Sequence, residues 1–134
     1  MKKMALALLA TIAVVLGLAV APAQAAPYAG SVPTSTTITA VNPPNAGQRV
    51  VVRANVRASG ARVTDGDVYL RCATVRNGRT IVRLGSTVAY NGGTQRIVGP
   101  VLNLARTWGC RLYYVGGSSV FANSSSDRVA VRVR

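Results

Sequence analysis

Turn-forming residues interrupt this chain about every ten positions, and that spacing is what most limits the folds open to it. The clusters read Asn42-Pro43-Pro44-Asn45-Ala46-Gly47, Ser59-Gly60, Asp65-Gly66, Asn77-Gly78, Asn91-Gly92-Gly93, Gly99-Pro100, Gly116-Gly117 and Asn123-Ser124-Ser125-Ser126. The runs between them are short and rich in Val, Thr, Ile and Tyr, and beyond the N-terminal segment none has a helical period. Runs of this length suit strands and are too short for helices, so an all-β sandwich of about seven strands is expected.

The side-chain alternation supports strands and assigns their faces. Val50, Val52, Ala54 and Val56 fall on one face of a strand, with Arg49, Arg53 and Arg57 on the other. Val68, Leu70 and Cys72 alternate with Tyr69 and Arg71. Trp108, Cys110, Leu112 and Tyr114 alternate with Arg111 and Tyr113. Val129, Val131 and Val133 alternate with Arg128, Arg132 and Arg134. Asn77-Gly78 is a strong two-residue hairpin signal, and Asn91-Gly92 reads as a second. Both cysteines, together with Trp108 and Tyr114, are expected in the core.

The N-terminal segment reads as an export signal. Met1-Lys2-Lys3 is positive, residues 4–20 are apolar apart from Thr11 and Gly17, and Ala23-Gln24-Ala25 supplies small residues for a peptidase. Cleavage is expected after Ala25. Residues 26–34 then form a loose leader and residues 35–134 the folded domain. The alternative, a retained membrane helix, needs about 20 apolar residues. The C-terminal strand pattern offers no anchor, so the expected product is secreted, without a membrane anchor.

Export bears on Cys72 and Cys110, the only two cysteines. In an oxidising compartment one structural disulfide is the natural expectation. Two buried thiols or a catalytic thiol are the alternatives, and a nucleophilic Cys requires a base. The chain has no His and no Glu, and its only acids are Asp65, Asp67 and Asp127. A His-based triad is thereby excluded, and little remains for a carboxylate pair or a metal cluster. No phosphate loop, nucleotide fingerprint, metal spacing or specific nucleic-acid motif appears, and no cofactor is expected. The expectation is a non-enzymatic protein.

The remaining signal is charge. The chain after Ala25 carries 14 Arg, no Lys and 3 Asp, a side-chain charge of +11. Arg presents a planar fork suited to phosphate, sulfate and carboxylate, and Tyr beside it adds stacking. A charged surface that resists aggregation is the plainer reading, and a coding bias toward Arg produces the same composition. Asp65-Gly66-Asp67 suggests a Ca²⁺ loop by spelling, but two carboxylates amid this charge fit a turn better. Asn123-Ser124-Ser125 matches a glycosylation acceptor, but the export signal looks bacterial and the match is expected to be chance.

The order of the motifs resembles the bacterial Ig-like repeat domains of secreted and cell-surface proteins. The stretch TSTTITAVNPPNAGQRVVVRANV is similar to that family's Thr-rich first strand, Pro turn and alternating second strand. VTDGDVYL resembles its turn into the third strand, with Val in place of Pro, and LGSTVAYNGG its Leu-Gly run and following hairpin. CRLYYVGGSSVFANSSSDRVAVRV is similar to its closing segment. The family usually lacks cysteines and occurs as tandem repeats, so this single disulfide-bearing copy departs from it.

The resemblance implies a non-enzymatic binding or structural module. It also implies that the third and sixth strands are neighbours and that the last strand pairs with the sixth. Cys72 and Cys110 would then bridge adjacent strands. The outer face of that sheet would carry Tyr69, Arg71, Arg111, Tyr113, Arg128, Arg132 and Arg134 as an anion-binding face, with Arg49, Arg53 and Arg57 on the opposite sheet. The expected partner is an anionic polymer or a protein at the cell envelope. The rival expectations are a secreted enzyme inhibitor anchored by Arg79 or Arg106 on a rigid loop, and a carrier of apolar small molecules.

Overall fold

The computed structural model of the protein describes residues 32–117 and 120–134. The expected signal at 1–25 and residues 26–31 of the expected leader lie outside these residues. Pairing begins ahead of the anticipated start at residue 35. Val32 forms a parallel bridge with Phe121, donating its N–H to the Val120 carbonyl at 3.0 Å and accepting from Ala122 at 2.7 Å.

Nine strands follow in order: β1 Thr34–Asn42, β2 Gln48–Ala58, β3 Asp67–Arg76, β4 Arg79–Leu84, β5 Val88–Ala89, β6 Gln95–Leu102, β7 Thr107–Val115, β8 Ser124–Ser125 and β9 Val129–Arg132. Two of them, β5 and β8, are only two residues long. The other seven are those expected from the turn spacing. Among the described residues all regular structure is strand.

The strands form two antiparallel sheets that pack face to face. One has the order β1-β2-β6, and the other β4-β3-β7, with β8 and β9 both pairing β7 and β5 pairing β3. The third strand therefore neighbours β7, and the last strand pairs with β7. This is a β-sandwich order, with the first, second and fifth long strands opposed to the third, fourth, sixth and last.

The expected inward faces meet in one core. Val50, Val52, Ala54 and Val56 of β2 face Val68, Leu70 and Cys72 of β3 and Trp108, Cys110, Leu112 and Tyr114 of β7, all buried. In the β3–β7 ladder Val68 opposes Tyr114, Leu70 opposes Leu112, and Cys72 opposes Cys110. Cys72 and Cys110 are disulfide-bonded across these adjacent strands, with Cα atoms 4.1 Å apart and no exposure to solvent. Trp108 fills the largest share of the core and donates its indole N–H to the Leu104 carbonyl at 3.0 Å.

Turn chemistry decides the connections. Asn77 and Gly78 adopt φ of 52° and 75° between the paired residues Arg76 and Arg79. Positive φ at both central positions is the type I′ turn, whose twist matches that of the flanking strands. Asn91-Gly92 does not form the second expected hairpin. β5 belongs to the larger sheet and β6 to the smaller, so this turn carries the chain from one sheet to the other. Tyr90 ties the crossing down. Its buried hydroxyl donates to Gly93 at 2.5 Å and accepts from the Val56 N–H of β2 at 3.0 Å. A two-residue turn signal cannot distinguish a hairpin from a crossing, because the flanking residues look alike in both.

The break between β8 and β9 is held by one side chain. Ser126 donates its N–H to the Leu112 carbonyl at 2.9 Å, and its hydroxyl accepts from the Leu112 N–H at 3.0 Å. The hydroxyl stands in for a ladder carbonyl where the strand kinks, and Ser126 is buried. Ser126→Ala leaves the Leu112 N–H without a partner, and urea unfolding should show a loss of about 1–3 kcal/mol. Ser126→Thr retains the hydroxyl and should recover most of it. Equal stability of Ser126→Ala and the parent protein would contradict this role.

Candidate functional site

The outward face of the larger sheet is organised in rows set by strand register. Tyr69 opposes Tyr113, which opposes Ser125 of β8. One step of two residues along, Arg71 opposes Arg111. Extending the Cys110–Val129 register by one residue brings Arg128 alongside Arg111. The next row is small: Ala73, Gly109 and Ala130. The smallness matters at Gly109, where an added Cβ would lie 2.7 Å from Cδ of Arg128. The Arg128 chain lies flat over the strand because no side chain stands there.

Three arginines thus sit side by side across β3, β7 and the approach to β9. Like charges directly opposed across strands destabilise a sheet. Water normally screens such a pair, but Arg71 and Arg111 are both half-buried. Nε of Arg111 is shielded from solvent and has no hydrogen-bond partner among the described residues. Beside the row lie two recesses. One, of about 220 Å³, is lined by Arg71, Ala73, Val75, Thr80 and Arg128. The other, of about 310 Å³, lies on the far side, against Tyr69, Tyr113 and residues 123–125.

The tyrosines form a stacked cross-strand pair with ring centroids 5.2 Å apart and planes 11° from parallel. They separate the arginine row from Asp67, which is exposed on the same face opposite Val115. The three aspartates Asp65, Asp67 and Asp127 are exposed, and among the described residues none of them forms an ion pair with an arginine.

The expected seven-residue face is therefore divided. Tyr69, Arg71, Arg111, Tyr113 and Arg128 are brought together. Arg132 opposes Thr107, two rows beyond Arg128 and about 13 Å along the strands. Arg134 is carried off the sheet, its backbone bonded to Pro44 and Ala46 in the β1–β2 turn. The alternation places Arg128, Arg132 and Arg134 on one side of the chain but does not tell how far the strand carries them apart.

The smaller sheet shows Arg49, Arg53 and Arg57 as expected, and adds Arg96, which opposes Arg53. These four are exposed, so water screens them, and Arg49 donates to the Gly99 carbonyl at 3.3 Å. Of the two arginines weighed as inhibitor anchors, Arg79 is in the β3–β4 ladder beside the tight turn. The Arg106 guanidinium donates to the Val75 carbonyl. Asp65-Gly66-Asp67 is a turn, with Gly66 at φ 93° and the Tyr114 hydroxyl donating to the Asp65 carbonyl at 3.0 Å. Asn123 caps the β7–β8 connection by accepting from the Gly116 N–H at 2.8 Å. A recess of about 430 Å³ lies at this same end of the sandwich, on the side of β2, lined by Asn55, Arg57, Arg62, Val63, Tyr90 and Thr94.

Comparison with known protein families, with curated proteins and with solved structures finds no match for this chain.

Proposed function

We propose that the protein is an exported, non-enzymatic module that binds an anionic polymer of the cell envelope through the outer face of the larger sheet. The observation that carries this reading is the Arg71–Arg111–Arg128 row, with the shielded and unpartnered Nε of Arg111 at its centre. Three adjacent cations with no acid among them are in mutual repulsion, and a bound anion relieves it. The disulfide supports an oxidising, extracytoplasmic location.

The test compares two charge-matched variants for binding to polyphosphate and polygalacturonate at ~0.15 M salt. Replacing Arg71, Arg111 and Arg128 by Gln should lower affinity about a hundredfold, from roughly 1 kcal/mol for each lost contact. Replacing Arg49, Arg53 and Arg57 should lower it less than about fivefold, because those side chains act only through the general field. Binding by the parent should weaken as salt rises. Equal losses in the two variants would show a diffuse effect of net charge and overturn the assignment, as would absence of binding by the parent.

A further inference from the structure

The recess against Tyr113 gives the anion a chemical class. Its walls are Tyr69, Tyr113, Tyr114, Val115 and residues 123–125 of the β8 segment. Among the described residues the hydroxyls of Tyr69, Tyr113 and Ser125 make no hydrogen bond. The Asn123 side chain spends its carbonyl oxygen on Gly116, which leaves its NH₂ donors uncommitted. A recess with an aliphatic and aromatic wall and several uncommitted hydroxyl and amide groups matches a polyhydroxylated ring. Such a ring offers C–H faces to the apolar wall and hydroxyls to the polar rim.

Single-stranded nucleic acid suits this arrangement less well. Its bases bind by stacking on open aromatic faces. Tyr69 and Tyr113 turn one face each toward the other, 5.2 Å apart, and that pairing takes up the inner faces. Polyphosphate has no ring to place there at all. The arginine row begins one two-residue step from the tyrosine row, about 7 Å along the strands. A repeating chain of sugar units bearing carboxylates has both chemistries at that spacing.

We infer that the polymer is an acidic polysaccharide, with a sugar ring seated in the recess beside Tyr113 and a neighbouring carboxylate held by Arg71, Arg111 and Arg128. This rests on the anion-binding reading above and adds the sugar to it.

The experiment measures binding of polygalacturonate, polyphosphate and poly(uridylate), at equal charge concentration and one salt concentration, to the parent and to Tyr69→Phe/Tyr113→Phe/Ser125→Ala. The variant retains every charge and both rings. Its melting temperature should equal the parent's, since none of the three hydroxyls has a partner among the described residues. The single variant Tyr113→Phe serves if the triple variant melts earlier. The parent should prefer polygalacturonate over both other probes. The hydroxyl variant should lose about tenfold on polygalacturonate and less than about twofold on the others.

A parent that prefers polyphosphate or poly(uridylate), or a hydroxyl variant that binds all three as the parent does, overturns the sugar assignment. The arginine reading survives either result, provided the Arg71/Arg111/Arg128 variant still loses binding. No binding to any probe removes both.

Discussion

Replacing Cys72 and Cys110 together by Ala is expected to lower the unfolding free energy by about 4 kcal/mol or more, measured by urea unfolding. The two residues are 38 apart in sequence, and the bridge removes loop-closure entropy from the unfolded chain. In the chain-entropy account a loop of this size contributes ~4 kcal/mol. Truncation to Ala also takes two sulfur atoms out of a fully buried site between Leu70, Leu112 and Trp108. The strands themselves should stay paired, because β3 and β7 exchange a seven-residue ladder around the bridge. The double variant should therefore be less stable but alike in its circular dichroism. Its buried position also makes the native disulfide slow to reduce without denaturant, so the folded parent incubated with a mild thiol reductant at about 25 °C should retain its bridge by intact mass. A loss below about 1 kcal/mol would contradict the account.

Gly66→Ala is expected to be the next most damaging small change, at about 3 kcal/mol, summing a left-handed backbone penalty and overpacking. Gly66 is at φ 93°, and an added Cβ would lie 2.6 Å from the Tyr114 ring. Tyr114 cannot retreat easily. Its hydroxyl is bonded to Asp65, and its ring meets Tyr90 edge-on at 6.2 Å between centroids. Gly78→Ala supplies the comparison. That glycine also has positive φ, at 75°, but nothing lies within 4 Å of the added atom. It should cost only the backbone term, about 1 kcal/mol. Equal thermal shifts for the two variants would show that contact with Tyr114 contributes nothing. The glycine of Asp65-Gly66-Asp67 is thus explained by packing against an aromatic ring.

Much of the fold was legible in the chain because its signals are local. Period-two alternation placed Val50 to Val56, Val68 to Cys72 and Trp108 to Tyr114 on inward faces, and each is buried. Asn77-Gly78 formed its hairpin because both positions accept positive φ. Asn91-Gly92 misled for the same reason. A turn's sequence states its own geometry and leaves open whether the strands on either side share a sheet. Tyr90, whose hydroxyl secures that crossing, carried no signal beyond being an aromatic residue next to a turn.

The candidate site was half legible. Tyr69, Arg71, Arg111 and Tyr113 were identifiable as outward residues on two strands that the motif order placed side by side. Tyr113's neighbours in the recess were not, because Ser125 reaches it through a two-residue strand too short to leave a pattern.

What the sequence by itself determined, then, is everything that depends on residues near one another along the chain: strands, their faces, a core containing both cysteines, and an excess of outward arginines. What only the tertiary structure decided is which arginines meet. Arg128, Arg132 and Arg134 are equivalent by alternation, yet only Arg128 joins Arg71 and Arg111, since the kink at Ser126 sets the register of β9 on β7. Register is a long-range property. It is settled where Ser126 replaces a ladder carbonyl and where Gly109 leaves room for an arginine chain, and neither condition can be written in the strand that depends on it.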